Sequence, residues 1–161
     1  MKTIPSHNDI LSSPIIPPHN AILGNIAQQN FNPGNLLFAG QSGAVRGAPK
    51  PGGGFWAKFP NEAAGYTALQ NDIQAKVGRN PKMTVAQLLD LRSPPSENNT
   101  SALHYNVMDS LKDLRDSGKI HTLMANQLPV NSVPIDRLAQ AIAQAEGYKS
   151  TNIKMVASGS Q

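Results

Sequence analysis

Four stretches of the chain carry apolar residues three and four positions apart, the spacing that places side chains on one face of an α-helix. Each stretch is preceded by residues that cap or begin a helix and is followed by glycine or proline. The pattern predicts helices over residues 61–78, 84–93, 100–118 and 134–146. The predicted inward faces are Tyr66, Leu69, Ile73 and Val77; Val85, Leu88 and Leu89; Leu103, Val107, Leu111 and Leu114; and Ile135, Leu138 and Ile142.

A different period occurs at residues 55–59, where alternate positions are apolar. Phe55, Ala57 and Phe59 are expected to share one face of a short strand. The preceding residues, 40–54, are rich in glycine and proline and are expected to form a flexible loop. No Gly-Lys-Ser/Thr follows them, so a phosphate-binding loop is not indicated. The predicted fold class is therefore mainly α, of the α+β kind, with a short β element near residues 55–59.

The two ends of the chain lack a regular pattern. Residues 1–20 contain four prolines but are too apolar for a freely solvated tail, so we expect an extended arm that lies on its own domain or on a neighbouring subunit. Residues 21–148 would form one domain that begins with a short helix at residues 21–28, and residues 149–161 a flexible tail. Because prolines interrupt the apolar N-terminal residues, neither a signal peptide nor a membrane span is indicated.

Composition narrows the chemistry that is available. The 161 residues suffice for one ordinary domain, and the net charge of +4, with a pI near 9.5, is spread along the chain. Such a charge gives a weak preference for polyanions but does not indicate specific nucleic-acid binding. Cysteine is absent, and the four histidines lack the short spacings of a metal site, so neither a metal nor a cofactor is expected.

The segment Asn-Phe-Asn-Pro-Gly-Asn, at residues 30–35, concentrates turn-forming residues just before three apolar residues. Asparagine and glycine tolerate left-handed backbone conformations, and Pro33 favours an extended conformation at Asn32. Two interpretations follow from these properties. The segment is either a buried turn capped by its own asparagines or a polar turn that directs amide groups into a cleft.

Glu146 stands out among the ten acidic residues because it ends an otherwise uncharged helical run, just before Gly147. The negative end of a helix dipole raises the pKa of a carboxyl group placed there. A raised pKa suits a general acid that must stay protonated near neutral pH. The alternative is an exposed glutamate in the last turn, without a function. Five other acidic residues are explained as first-turn or surface charges of helices: Glu62, Asp109, Asp113, Asp116 and Asp136.

Five short motifs follow one another between about residues 30 and 115. They are Asn32-Pro33-Gly34-Asn35-Leu36, Gly40-Gln41, Gly54-Phe55-Trp56-Ala57-Lys58-Phe59, Glu62-Ala63-Ala64-Gly65 and Pro94-Pro95-Ser96-Glu97-Asn98-Asn99-Thr100. In this order they resemble phage virion proteins and prophage-encoded domains related to lysozyme-like peptidoglycan hydrolases. The chain departs from that family at Phe31, where asparagine is usual, and at Arg92-Ser93, where an aromatic-alanine pair is common.

That family usually also carries an Ala-Ile-Ala-x-x-Glu-Gly-(Phe/Tyr) helix before the Asn-Pro-Gly-Asn turn. Here the similar helix lies at the far end of the chain, in residues 138–148, and its motif ends in Glu146, Gly147 and Tyr148. The resemblance therefore implies either a circular permutation of the domain or a domain swap, in which this helix completes a neighbouring subunit.

The resemblance also implies roles for individual residues. Glu146 would be the general acid that protonates the glycosidic oxygen between amino sugars. No second carboxylate is assigned, so both hydrolysis and transglycosylation remain open. The residues implied to position the glycan are Asn32, Asn35 and Tyr148, and either Glu97 or Asn98 would shape the cleft.

Three functions are compatible with the resemblance and with the apolar arm. The first is a phage virion protein that degrades peptidoglycan glycan strands at the host cell wall; it would form a homo-oligomer and dock on tail or capsid proteins through residues 1–20. Delivery by the phage particle would explain how the protein acts on the wall in the periplasm without a signal peptide. The second is a non-catalytic tail, plug or decoration protein that keeps the lysozyme-like fold for assembly. The third is a module that binds the wall without cleaving it.

Overall fold

The computed structural model of the chain describes residues 26–94 and 99–151. The predicted N-terminal arm, most of the predicted helix at residues 21–28 and most of the predicted tail lie outside the described residues. Residues 26–29 form a helical turn. The elements that follow are β1 (Val45–Pro49), β2 (Phe55–Lys58), α1 (Glu62–Arg79), α2 (Val85–Arg92), α3 (Thr100–Ser110), α4 (Lys112–Asp116), a 3-10 helix (Val130–Ser132) and α5 (Ile135–Ala145).

Helices α1, α2 and α3 begin where the sequence supplies a capping side chain. Asn61 accepts a hydrogen bond from the Ala64 N–H at 2.9 Å, and Asn99 caps α3 in the same way. At α2, Thr84 Oγ1 accepts from the Gln87 N–H at 3.2 Å while Gln87 Oε1 accepts from the Thr84 N–H at 3.0 Å, which completes the capping box. Each cap stabilises its helix by about 1 kcal/mol. The predicted starts of these helices are confirmed.

Two predicted helix ends are wrong. Helix α1 continues through Gly78 to Arg79, since Gly78 does not take the left-handed conformation with which glycine ends a helix. The expected single helix over residues 100–118 divides at Leu111, whose φ of −101° and ψ of 8° depart from helical geometry. Leu111, at this break, and Leu114, which follows it in α4, are both buried.

The main core lies between α5 and the two helices that pack on it, α1 and α3, and α2 packs on α3. The inward side of α5 consists of Leu138, Ile142 and three buried alanines, whose small side chains allow the neighbouring helices to approach closely. The inward faces predicted for the four helices are confirmed, with Leu103 and Ile135 half-buried at their edges.

The expectation of a flexible loop at residues 40–54 is wrong, because part of this segment forms β1. This strand pairs antiparallel with β2. Gly47 permits the pairing, since a Cβ atom at this position would lie 2.9 Å from the backbone oxygen of Trp56. The connection at residues 52–54 consists of three glycines with positive φ, which only glycine adopts at little cost.

Strand β2 confirms the predicted strand but not its predicted face. Ala57 and Phe59 are buried against α1. Trp56 is also buried, whereas Phe55 is 38% exposed. The guanidinium of Arg46 covers one side of Phe55, 5.1 Å from the ring centroid. The described residues therefore combine helices with a two-stranded antiparallel sheet. None of the helices in this part of the chain is long and apolar enough to cross a membrane.

Candidate functional site

The Asn-Pro-Gly-Asn turn is anchored by the side chain of Asn32, which is 1% exposed. Asn32 Nδ2 donates hydrogen bonds to the backbone oxygens of Leu36 and Ala57, each at 2.9 Å. Its Oδ1 accepts from the Leu36 N–H at 2.9 Å. These bonds close the turn and attach it to β2, as expected for a buried turn capped by its own asparagine. They also fix the backbone from which Asn35 projects.

Two glycines seat this turn against α1. A Cβ atom at Gly65 would overlap the backbone oxygen of Phe31, and one at Gly34 would lie 2.8 Å from Leu69 Cδ1. The turn itself contains two non-glycine residues with left-handed backbone, Phe31 with a φ of 48° and Asn35 with a φ of 49°. Such conformations are maintained where the surrounding structure holds them. The close packing of the turn on α1 therefore fixes the position of Asn35.

Glu146 lies at the C-terminal end of α5 and faces this turn. Its side chain is only 15% exposed, unlike an ordinary glutamate of an exposed last turn. Asn35 Nδ2 donates to Glu146 Oε2 at 3.5 Å, and Arg92 Nη2 lies 3.6 Å from the same oxygen. Burial raises the pKa of Glu146, while Arg92 and Asn35 act in the opposite direction. The sequence predicted a raised pKa from the helix dipole; in the structure, burial raises it.

Arg92 connects three parts of the site. Besides its approach to Glu146, its Nη2 donates to the backbone oxygen of Gly34 at 2.6 Å, and its Nη1 donates to Asp72 Oδ2 at 3.0 Å. Asp72 also pairs with Lys76, four residues further along α1, at 2.5 Å. The guanidinium thus ties the turn to α1 and to the end of α5.

A second buried carboxyl group lies at the start of α1. Glu62 is 5% exposed, and its Oε1 accepts hydrogen bonds from the Tyr148 hydroxyl at 2.9 Å and from the Thr151 N–H at 3.1 Å. The ring of Tyr148 packs edge-on against Tyr66 at a centroid distance of 6.0 Å. Burial raises the pKa of Tyr66 to about 12, and burial followed by Glu62 raises the pKa of Tyr148 further. These tyrosines therefore stay protonated at physiological pH.

The structure brings together two of the predicted site residues, Asn35 and Glu146, which are 111 positions apart in the chain. The side chains of Asn32 and Tyr148 point into the interior, so a direct contact with a ligand would require them to leave the partners described above. Glu97 and Asn98 lie outside the described residues. Among the residues that are described, no group of three or more histidine, aspartate or glutamate side chains is placed to hold a metal ion.

Two features of the site were missed from the sequence: the charge network of Arg92 and Asp72, and the burial of Glu62. One sequence feature could have pointed to Arg92: it stands where the resembling family commonly has an aromatic residue. For Asp72, the sequence offers only its spacing of four residues from Lys76. For Glu62, it offers no such feature, because a first-turn acid that favours the helix dipole has the same local sequence whether it is exposed or buried.

Proton transfer is the chemistry that this arrangement can perform. A buried carboxyl group with a raised pKa can hold a proton near neutral pH and donate it to a bound molecule. Comparison of the sequence with models of protein families and with curated proteins finds no match. The geometry of the site and the motifs of the chain are therefore the basis for a functional assignment.

Proposed function

We propose that this chain is a bacteriophage virion-associated protein whose lysozyme-like domain degrades peptidoglycan at the host cell wall, with Glu146 as the general acid. The contact between Asn35 Nδ2 and Glu146 Oε2 at 3.5 Å carries this proposal. It joins the Asn-Pro-Gly-Asn turn to the end of the Ala-Ile-Ala-x-x-Glu-Gly-Tyr helix. These are the two motifs that the resembling family has in the opposite order.

A second contact supports the rearranged order of the two motifs. Gln28 Nε2 donates to the backbone oxygen of Lys149 at 2.7 Å, and the Lys149 N–H donates to Gln28 Oε1 at 2.9 Å. Gln28 stands just before the turn, and Lys149 stands just after the Glu-Gly-Tyr end of α5. The exit from this helix therefore lies beside the entry to the turn, where a chain in the family's order would connect them.

In the proposed reaction, Glu146 donates its proton to the oxygen between two amino sugars as the bond from that oxygen to the anomeric carbon breaks. Burial favours the protonated carboxyl group that this step needs. A water molecule, or a hydroxyl group of the same sugar, then bonds to the anomeric carbon and returns a proton to the glutamate. Asn35 positions the acid directly, whereas Asn32 and Tyr148 do so through the backbone that they anchor.

The remaining partners in this proposal follow from the family resemblance, from the apolar residues 1–20 and from the spread-out charge. Residues 1–20 dock on tail or capsid proteins, the protein is a homo-oligomer in the virion, and it reaches the wall from the particle. Glu97 or Asn98 shapes the glycan cleft. The substrate is the glycan strand of peptidoglycan, and no specific nucleic acid takes part.

A zymogram on Gram-negative peptidoglycan tests the catalytic role, with wild-type protein beside Glu146→Gln. Asp116→Asn is the matched control, since it also converts a carboxylate to an amide, at an exposed position. We expect wild type and control to clear peptidoglycan and Glu146→Gln to lose at least about 100-fold in rate. Folded wild-type protein that clears nothing would contradict the proposal. Mass spectrometry of the products separates the two reactions, because transglycosylation gives a product lighter by one water than hydrolysis does.

One observation favours a non-catalytic virion structural protein as the second candidate. Glu146 is mostly buried, and the groups described around it, Arg92 and Asn35, belong to the protein itself. A carboxylate in such surroundings can serve as a packed ion pair without any catalysis. In that case Glu146→Gln should assemble into particles as wild type does, and wild type should release no glycan fragments. A wall-binding module would sediment with peptidoglycan yet leave it intact.

A further inference from the structure

The guanidinium of Arg92 is shared between carboxylates from two different helices. Nη1 donates to Asp72 Oδ2 on α1 at 3.0 Å, and Nη2 lies 3.6 Å from Oε2 of Glu146, at the end of α5. The side chain of Arg92 is 7% exposed, so protein groups rather than bulk water surround its charge. One buried cation therefore faces two acidic groups.

Asp72 is the closer of the two acidic groups to Arg92, and it has a second cation of its own. Lys76 Nζ lies 2.5 Å from Asp72 Oδ1, so the charges of Lys76, Asp72, Arg92 and Glu146 alternate in sign. Attraction between charges weakens with distance and with competing partners. Asp72, together with the backbone oxygen of Gly34, thus engages Arg92 at shorter distances than Glu146 does.

We propose that Arg92 and Asp72 are positioning residues that jointly set the protonation equilibrium of Glu146. Arg92 stabilises the carboxylate of Glu146 that remains after proton donation. Asp72 limits that stabilisation, so that Glu146 stays protonated until it donates its proton. This proposal about Arg92 and Asp72 rests on the proposed role of Glu146 as a general acid. In the described part of the chain, the charged and polar side chains that contact Glu146 are Arg92 and Asn35; Asp72 and Lys76 act through Arg92.

The reason for such an arrangement is that a general acid works best when its pKa is near the working pH. Burial without a nearby cation would hold the proton of Glu146 too tightly for efficient donation. A fully engaged arginine would have the opposite fault, since it would keep the group ionised. An arginine already partly neutralised by Asp72 gives an intermediate condition, in which Glu146 can both hold a proton and lose it.

The test is a direct titration of Glu146 in the full chain by carbon-13 NMR of the glutamate carboxyl groups. The chain has three glutamates, so the signal of Glu146 is identified by its absence in Glu146→Gln. We expect Arg92→Met to raise the midpoint of this signal by about 1 or more pH units and Asp72→Asn to lower it. The signal of Glu62, whose described partners do not include Arg92, should stay in place in both variants.

The two variants are expected to act in opposite directions, and that opposition decides the outcome. Midpoints that shift together, or an unchanged midpoint in either folded variant, would overturn the proposal. Should Arg92→Met fail to fold, Asp72→Asn decides alone, because Asp72 is 26% exposed and its replacement keeps the side chain's shape. A lowered midpoint there supports the proposal, and an unchanged or raised one overturns it.

The titration is independent of catalysis, so it separates this proposal from the proposed function. If the midpoints shift in opposite directions but the protein cleaves no peptidoglycan, the proposal about Arg92 and Asp72 stands and only the proposed enzymatic function is refuted. In an active protein, the alkaline limb of the pH–rate profile should move to higher pH in Arg92→Met and to lower pH in Asp72→Asn. A purely structural defect would lower the whole profile without moving that limb.

Discussion

Glu62 and Glu146 are both removed from solvent, yet the protein surrounds them differently. The two oxygens of Glu62 accept hydrogen bonds from Tyr148, Ser150 and Thr151 at distances from 2.9 to 3.4 Å. These donors belong to the segment that follows α5, so Glu62 fastens that segment to the start of α1. A buried carboxyl group needs hydrogen-bond partners, and these bonds contribute to the stability of the fold.

Within the described residues, the side chain of Glu146 has longer and fewer contacts, with Asn35 at 3.5 Å and Arg92 at 3.6 Å. Both contacts act to lower the pKa of Glu146, and burial, which is the larger effect, raises it. The difference between the two glutamates teaches that burial alone does not identify a reactive carboxyl group. The completeness of the hydrogen bonding differs between the two glutamates, and this difference is the basis for the different roles that we propose for them.

Replacing each glutamate by glutamine gives the largest expected contrast. Glu146→Gln should reduce the rate of peptidoglycan clearing at least about 100-fold while leaving the protein folded. Glu62→Gln should instead lower the free energy of unfolding by about 2 kcal/mol, because it places an NH₂ group among hydrogen-bond donors. Turbidity assays and urea denaturation measure the two effects. The comparison breaks if Glu62→Gln, while still folded, loses as much activity as Glu146→Gln.

Two glycines of α1 test how the turn that carries Asn35 is held. Gly65→Ala should destabilise the protein by about 2 to 3 kcal/mol, because the added methyl group overlaps the backbone oxygen of Phe31. Gly78→Ala is the matched control in the same helix; it has nothing within 4 Å and should stabilise the protein by about 0.5 to 1 kcal/mol. Thermal unfolding of both variants measures this. Equal effects at the two positions would show that the turn is not seated on α1.

The raised pKa of Glu146 predicts how stability depends on pH. Between about pH 4, where an unfolded glutamate titrates, and the higher pKa of the folded protein, the folded state binds more protons than the unfolded state. Stability contributed by this group therefore falls as pH rises through that window. Wild type should lose stability relative to Glu146→Gln over this range, as measured by urea denaturation at several pH values. A difference that grows in favour of wild type would contradict the assignment.

The smallest effect is expected at the surface pair between α4 and α5. Arg137 donates two hydrogen bonds to Asp113, each at 2.8 Å, and this pairing lowers the pKa of Asp113. Asp113 is 61% exposed, so Asp113→Asn should cost less than about 1 kcal/mol near neutral pH. The cost should vanish as the pH falls through the lowered pKa. Asp109→Asn is the control in thermal unfolding experiments, because the ion pair described for Asp109 is a single contact with Lys112 at 3.7 Å.

The sequence by itself determined the features that depend on near neighbours. The Thr84 and Gln87 spacing predicted the capping box, the apolar spacing predicted the buried helix faces, and the position of Glu146 before Gly147 predicted a carboxyl group at a helix end. Strand β1 was not predicted from the sequence. Its glycine and proline content is typical of loops, and it becomes a strand by pairing with β2. Local patterns therefore determined most helices but not the sheet.

Only the tertiary structure decided which of these features meet. The contact of Asn35 with Glu146 joins residues 111 positions apart, and the bonds of Glu62 to Thr151 join residues 89 apart. Arg92 reaches the site because the end of α2 packs beside the turn. Burial and long-range pairing arise from how the helices pack, and a local pattern contains no information about that packing. The same residue type, glutamate, thus became an anchor at the start of α1 and a candidate acid at the end of α5.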